Sequence, residues 1–141
     1  DAIRAALINS EVASVGFNGV MFSLLEDDAL ASANSRRCLS LDGLIALSSM
    51  CGCGIDMVPG PGASFPEEIA ALIMDIAAMS LSLKKPLGVR VLPIPGGMAN
   101  EHTEFNFDFL CDSRIVGLSS NERSMLSDHD SFGLLAPSRL S

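Results

Sequence analysis

The chain contains no tryptophan and no tyrosine, and its 5% aromatic share is entirely phenylalanine. It therefore has few platforms on which single-stranded bases stack. Positive charge is scarce as well: 9 Lys plus Arg stand against 17 Asp plus Glu, a formal charge of −8. A surface of that sign repels phosphate backbones, which argues against nucleic acid as a partner. Long hydrophobic runs are missing too. The richest one, Ile69 to Leu83, is shorter than the ~20 residues of a spanning helix and carries Asp75 inside it. No charged-then-apolar leader opens the sequence, so the expectation is a cytoplasmic protein with no membrane partner.

Cysteine is sparse and unevenly spaced. Cys38, Cys51, Cys53 and Cys111 supply one Cys-x-Cys pair and no second, with only His102 and His129 to add imidazoles. Neither a secreted disulfide scaffold nor a four-ligand zinc site follows from that set. Buried or half-buried thiols in a reducing compartment are the plainer expectation. Recognised catalytic motifs are absent: no G-x-x-x-x-G-K-S/T phosphate loop, no G-x-S-x-G elbow, no H-E-x-x-H. Both histidines fall in polar stretches suited to exposed loops, which leaves Ser-His and Cys-His pairs without support.

What is present is a chain of 141 residues, 48% apolar and 18% charged. That is enough for one packed domain and too apolar for disorder. It begins with Asp1 rather than Met, as a processed chain or an excerpt would. The first ten residues have helical apolar spacing at Ile3, Leu7 and Ile8, and Gly16 and Gly19 then punctuate a loop. Ser23 with Glu26 three residues on has the spacing of a capping box, predicting a helix through Leu24, Leu25, Ala29 and Leu30 to about Ala33. Asn34 to Cys38 reads as a turn. A second helix starts at Ser40 or Asp42 and ends at Gly52 and Gly54. Ile55 to Val58 reads as a buried strand closed by Pro59-Gly60-Pro61-Gly62.

The clearest element follows. Ser64, Pro66, Glu67 and Glu68 make a helix start, Ile69, Leu72, Ile73 and Ile76 keep a 3.6-residue period, and Pro86 ends it. Leu87 to Leu92 is a strand by its β-branched content. Residues 55 to 92 thus read strand, helix, strand, which predicts an α/β fold with a parallel βαβ core. Beyond it, Thr103 to Phe109 alternates polar and aromatic residues, predicting a half-buried strand, and Arg114 to Leu118 reads as a last extended piece. Residues 119–141 are polar and read as a flexible tail after a body at 1–118.

Asp56 lies inside a run that should be buried, and a buried carboxylate requires a partner. Arg90, in the strand that the crossover brings alongside, is the natural one. Two readings stand side by side: a plain ion pair fixing strand register, or a pair facing a pocket at the strand ends. Cys51 to Gly54 places thiols and glycines at the same turn, where the backbone can approach a ligand closely.

Several stretches in order carry a resemblance: Val15-Gly16-Phe17 to Leu25-Glu26-Asp27, Cys51-x-x-Gly54-Ile55-Asp56-x-Val58-Pro59, Lys85-Pro86-Leu87 to Arg90-Val91-Leu92-Pro93, Thr103-Glu104-Phe105, and Ser113-Arg114. Over residues 15 to 118 the chain resembles the C-terminal part of the pyruvate formate-lyase-like family of unknown function (domain of unknown function 711). The resemblance implies the C-terminal portion of a ten-stranded α/β barrel like that of glycyl radical enzymes, with strands for closure lying outside these residues. It does not imply radical chemistry, because Pro93 stands where the radical glycine would follow Arg90-Val91-Leu92.

Residues on the shared pattern supply the candidate site. Cys51 is the candidate nucleophile or redox thiol, and Asp56 and Arg90 are the candidate acid and anion anchor. Glu26, Asp27 and Glu104 are candidate ligand-binding carboxylates, able to carry protons or hold a hard cation such as magnesium. The expected ligand is a small anionic metabolite. No cofactor is assigned, and the metal remains open. The expected assembly is a homo-oligomer or pairing with the missing part of the barrel. The other class of function is a non-catalytic regulatory or structural module, or an inactive fragment.

Overall fold

The computed structural model describes residues 5–6, 9–13, 15, 22–50, 53–64 and 66–119. Six elements follow one another in these residues: β1 (Phe22–Ser23), α1 (Asp28–Ser35), α2 (Leu41–Ser48), β2 (Gly54–Pro61), α3 (Pro66–Leu83) and β3 (Gly88–Ile94). The three strands form one parallel sheet in the order β1-β2-β3. The fold is therefore mixed α/β, with the expected strand, helix and strand at its centre. No described helix is long and apolar enough to cross a membrane.

The core lies on one face of the sheet. Ile55 and Val58 of β2 pack with Leu41 and Leu44 of α2 and Leu72 and Ile76 of α3, with Val89 and Val91 of β3 against them. Fully burying one such side chain contributes about 1.5–3 kcal/mol. Leu24, Val116 and Leu118 complete the cluster. Val116 donates its N–H to the Pro59 carbonyl at 2.8 Å, so the extended piece around residues 114–118 covers the edge of β2 beyond the short β1.

The strands come close at one point that only glycine permits. Gly54 has a φ of +99° and sits opposite Gly88, whose carbonyl any Cβ at position 54 would strike. Further along, the ladder pairs Ile55 with Val89 and Val58 with Val91, so β2 carries one extra residue there. Met57 absorbs the bulge with a φ of +46°.

Three expectations are corrected. The predicted helix from Ser23 through Leu25 begins later, at Asp28, with Asp27 as its cap. Ser23 belongs to β1, and Leu24 and Leu25 are fully buried in the turn after it. Two large apolar side chains buried there outweigh the weaker local capping signal. The second helix, capped by Ser40 as expected, ends at Ser48, before Gly54. Thr103 to Phe109 is not a strand: a single antiparallel bridge joins His102 to Arg114. Phe107 and Phe109 stack edge to face and remain exposed. A period of two needs a partner ladder to become a strand, and none of the described residues supplies one.

Residues 5, 6 and 9 are helical, as the opening periodicity predicts. The glycine loop at 16–21, Cys51 and Gly52, and residues 120–141 lie outside the described residues.

Candidate functional site

Alternation along β3 places Arg90 between Val89 and Val91, which pack on the core, so its side chain leaves on the opposite face. The bulge sets Asp56 and Met57 together across from it. Arg90 grips Asp56 with two parallel hydrogen bonds: Nε donates to Oδ1, and an Nη donates to Oδ2 at 2.8 Å. The fork-on-carboxylate geometry is the strongest pairing these side chains make. Asp56 is buried, whereas 54% of the Arg90 side chain remains exposed. The same Nη lies 3.6 Å from Oε1 of Glu26, in the turn after β1. The hydrogen bond to Asp56, aided by the charges of Asp56 and Glu26, holds the Arg90 guanidinium above its ordinary pKa, with burial opposing.

One further residue belongs to this group. Ser23 pairs in register with Asp56, so a polar row crosses all three strands from Ser23 through Asp56 to Arg90. Its Oγ is buried and makes no hydrogen bond to any described residue. The sequence offers Ser23 as a helix cap, which hid this position. A serine directly beside a buried aspartate in the sheet could be found only from the register.

The other candidates separate. Asp27 accepts from the Leu30 N–H at 2.8 Å as the cap of α1, which gives its carboxylate a structural duty. Glu104 is exposed on the loop after Thr103, away from any ion pair with Arg90. Cys51 lies outside the described residues. Among the described residues, no three His, Cys, Asp or Glu side chains gather as metal ligands.

A second polar cluster has no counterpart among the sequence candidates. Arg114 is buried and donates to the Asn34 carbonyl, to Asn34 Oδ1, to the Leu39 carbonyl and to Asn100 Oδ1 at 2.9–3.2 Å. Asn34 in turn donates to the Ser113 hydroxyl and the Arg114 carbonyl. Burial, and secondarily the charge of Arg37, lowers the Arg114 pKa. Neutral oxygens at the C-terminal end of α1 receive this cation, an end whose dipole favours positive charge. The only hint in the sequence is a charge leading directly into the apolar run Ile115-Val116.

Together these features define an α/β protein whose parallel sheet holds its apolar core on one face and an Asp–Arg pair, flanked by Glu26 and Ser23, on the other. The chain belongs to the family described as Uncharacterised ACR (DUF711), whose profile matches residues 1–114. It is 41% identical over 81 residues to a UPF0210 protein of Pyrobaculum arsenaticum, covering 57% of this chain and 18% of that protein. A UPF0210 protein of Pelotomaculum thermopropionicum is 37% identical over 107 residues, covering 74% of this chain and 23% of its own length. One from Syntrophobacter fumaroxidans is 36% identical over 106 residues, or 75% and 23%. The chain thus spans about a fifth of the length of the curated relatives it matches. No solved structure matches it.

Proposed function

We propose that this chain contributes the anion-anchoring part of a small-molecule site in a cytoplasmic α/β barrel of the pyruvate formate-lyase-like type, working without glycyl radical chemistry. The observation that carries the reading is the bidentate Asp56–Arg90 pair on the sheet face away from the core. Asp56 fixes the guanidinium by its Nε and one Nη, and its bonds leave the other Nη for a ligand. Glu26, 3.6 Å away, marks where a carboxylate meets this cation. A carboxylate or phosphate of a metabolite would bind that other Nη, with Glu26 beside it as the group to accept or donate a proton. The Ser23 hydroxyl, without a partner among the described residues, adds a polar group to the same row. Cys51, just ahead of β2 in sequence, remains the candidate nucleophile, and Asp27 and Glu104 are secondary candidates.

The reading is tested by thermal melts of the intact protein with a panel of mono- and dicarboxylates and phosphorylated metabolites. A ligand that raises the melting temperature should lose that effect in Arg90→Lys, which keeps charge and loses the fork. If the rise survives in Arg90→Lys, or no acid produces one, the anchor role fails.

One observation favours a second reading. The pair spans the bulge at Asp56 and Met57, where it pins strand register, as a purely structural module would require. In that case Arg90→Lys lowers the melting temperature equally with and without any metabolite.

A further inference from the structure

The run Thr103 to Phe109 joins no sheet, yet hydrogen bonds hold it in place. The Asp112 carboxylate accepts from the Phe105 N–H at 2.7 Å and from the Thr103 hydroxyl at 3.3 Å. At the base of the loop the Thr103 N–H donates to the Ser113 carbonyl at 2.8 Å, and the Ser113 N–H donates to the Thr103 hydroxyl at 2.9 Å. Near the tip the Leu110 N–H donates to the Phe107 carbonyl. This braced loop carries two phenylalanines into water, Phe107 57% and Phe109 77% exposed, with ring centroids 5.4 Å apart. Single exposed apolar residues are commonplace. Two adjoining rings on a braced loop make a patch, and such a patch marks a contact surface.

The far end of the loop is tied to the turn after β1. The Cys111 N–H donates to the Leu25 carbonyl at 2.8 Å, and the Cys111 thiol donates to Asp28. Between Leu25 and Asp28 stands Glu26, whose carboxylate lies 3.6 Å from Arg90. A line of contacts therefore runs from the anion anchor, through that turn, to the loop that carries the rings. We propose that Phe107 and Phe109 form the apolar end of the same ligand site, and that its ligand is an amphipathic carboxylic acid. Its carboxylate meets Arg90, and its alkyl or aryl chain lies across the rings. The carboxylate end rests on the Arg90 reading, and the rings supply the other end. Glu104 and Asp108 stand exposed beside the rings. Their charge repels a second carboxylate there, which narrows the class to monoacids.

Calorimetric titration of the intact protein with acetate, butyrate, hexanoate and octanoate provides the test. Octanoate should bind at least about tenfold tighter than butyrate, as burial of the added CH2 groups requires. Phe107→Ser combined with Phe109→Ser should cut octanoate affinity by about tenfold, leaving butyrate binding and the melt unchanged. Arg90→Lys should weaken both acids alike. Octanoate bound no more tightly than butyrate overturns the proposal and leaves the anchor standing, as does a chain-length preference that survives the double substitution. Octanoate binding that Arg90→Lys spares overturns it too, because the rings would then act apart from the anchor. Binding by none of the four acids also overturns it, and the wider panel of acids and phosphates then decides the anchor. If the double variant melts lower, Phe109→Ser alone, at the more exposed ring, replaces it with the same outcomes.

Discussion

At position 56 a carboxylate sits almost wholly inside the protein, while its guanidinium partner at position 90 stands half in water. Removing either one is therefore not equivalent. Arg90→Met leaves a buried carboxylate beside the Ser23 hydroxyl with no cation to hold it, and should cost about 2 kcal/mol in urea denaturation. That is below the cost of breaking a fully buried pair, because solvent already screens this one. Asp56→Asn leaves a guanidinium that water can hydrate, and should cost about 1 kcal/mol. Equal losses would mean that the pair acts as a surface contact.

Cys111 makes a different residue-scale prediction. Its thiol donates to Asp28 Oδ1 at 3.1 Å. That bond, then burial and the nearby acids Asp28, Asp27 and Asp112, raise its pKa above the ordinary thiol range. A raised thiol pKa favours the folded state below the unfolded value, about 8.5, and that contribution is lost as pH climbs through the folded value. Stability should therefore fall more steeply above about pH 9 in the wild type than in Cys111→Ser. Iodoacetamide should also modify Cys111 faster in Asp28→Asn. An unchanged rate would remove the hydrogen bond as the cause.

Among the elements, the strand–helix–strand unit was legible because each part carried its own signal. α3 has acids and a proline at its start and a proline after its end, and both strands are short and β-branched. The failures share a cause. Ser23 with Glu26, and the alternating phenylalanines of 103–109, are local patterns whose outcome depends on partners distant in sequence. Leu24 and Leu25 went to the core, and the Phe run found no ladder. Asp27 illustrates how a site residue can be reassigned by its element: a serine there would cap α1 nearly as well. Asp27→Ser should stay within a few tenths of a kcal/mol of wild type, while Asp27→Ala loses about 1 kcal/mol of α1 stability. A ligand-induced shift in melting temperature that Asp27→Ser abolishes would return this carboxylate to the ligand site.

For the whole molecule, the Asp56–Arg90 pair could be anticipated from a buried acid and one basic residue in the adjacent strand. The Arg114 cluster could not, since Asn34 looks like a turn residue and no periodicity links it to residue 114. That cluster ties α1 to the last described segment. Arg114→Met strands the Leu39 and Asn34 oxygens in a buried site and should cost about 3 kcal/mol, more than any substitution at Arg90. Amide hydrogen exchange should speed selectively around residues 99–118. Uniform acceleration across β2 and β3 would show that the clamp is part of the core instead.

The hydrogen bonds from Asn34 to Ser113 and Arg114 join positions 79 and 80 residues apart. During synthesis, α1, α2 and the entire β1-β2-β3 sheet leave the ribosome before the arginine that secures them. Until then Asn34 and the end of α1 have only water for company, and the edge of β2 at Pro59 lies bare. A nascent chain halted short of residue 114 therefore offers an open strand edge to chaperones or to neighbouring chains. Contacts this distant in sequence slow folding, because the loop must close before they form.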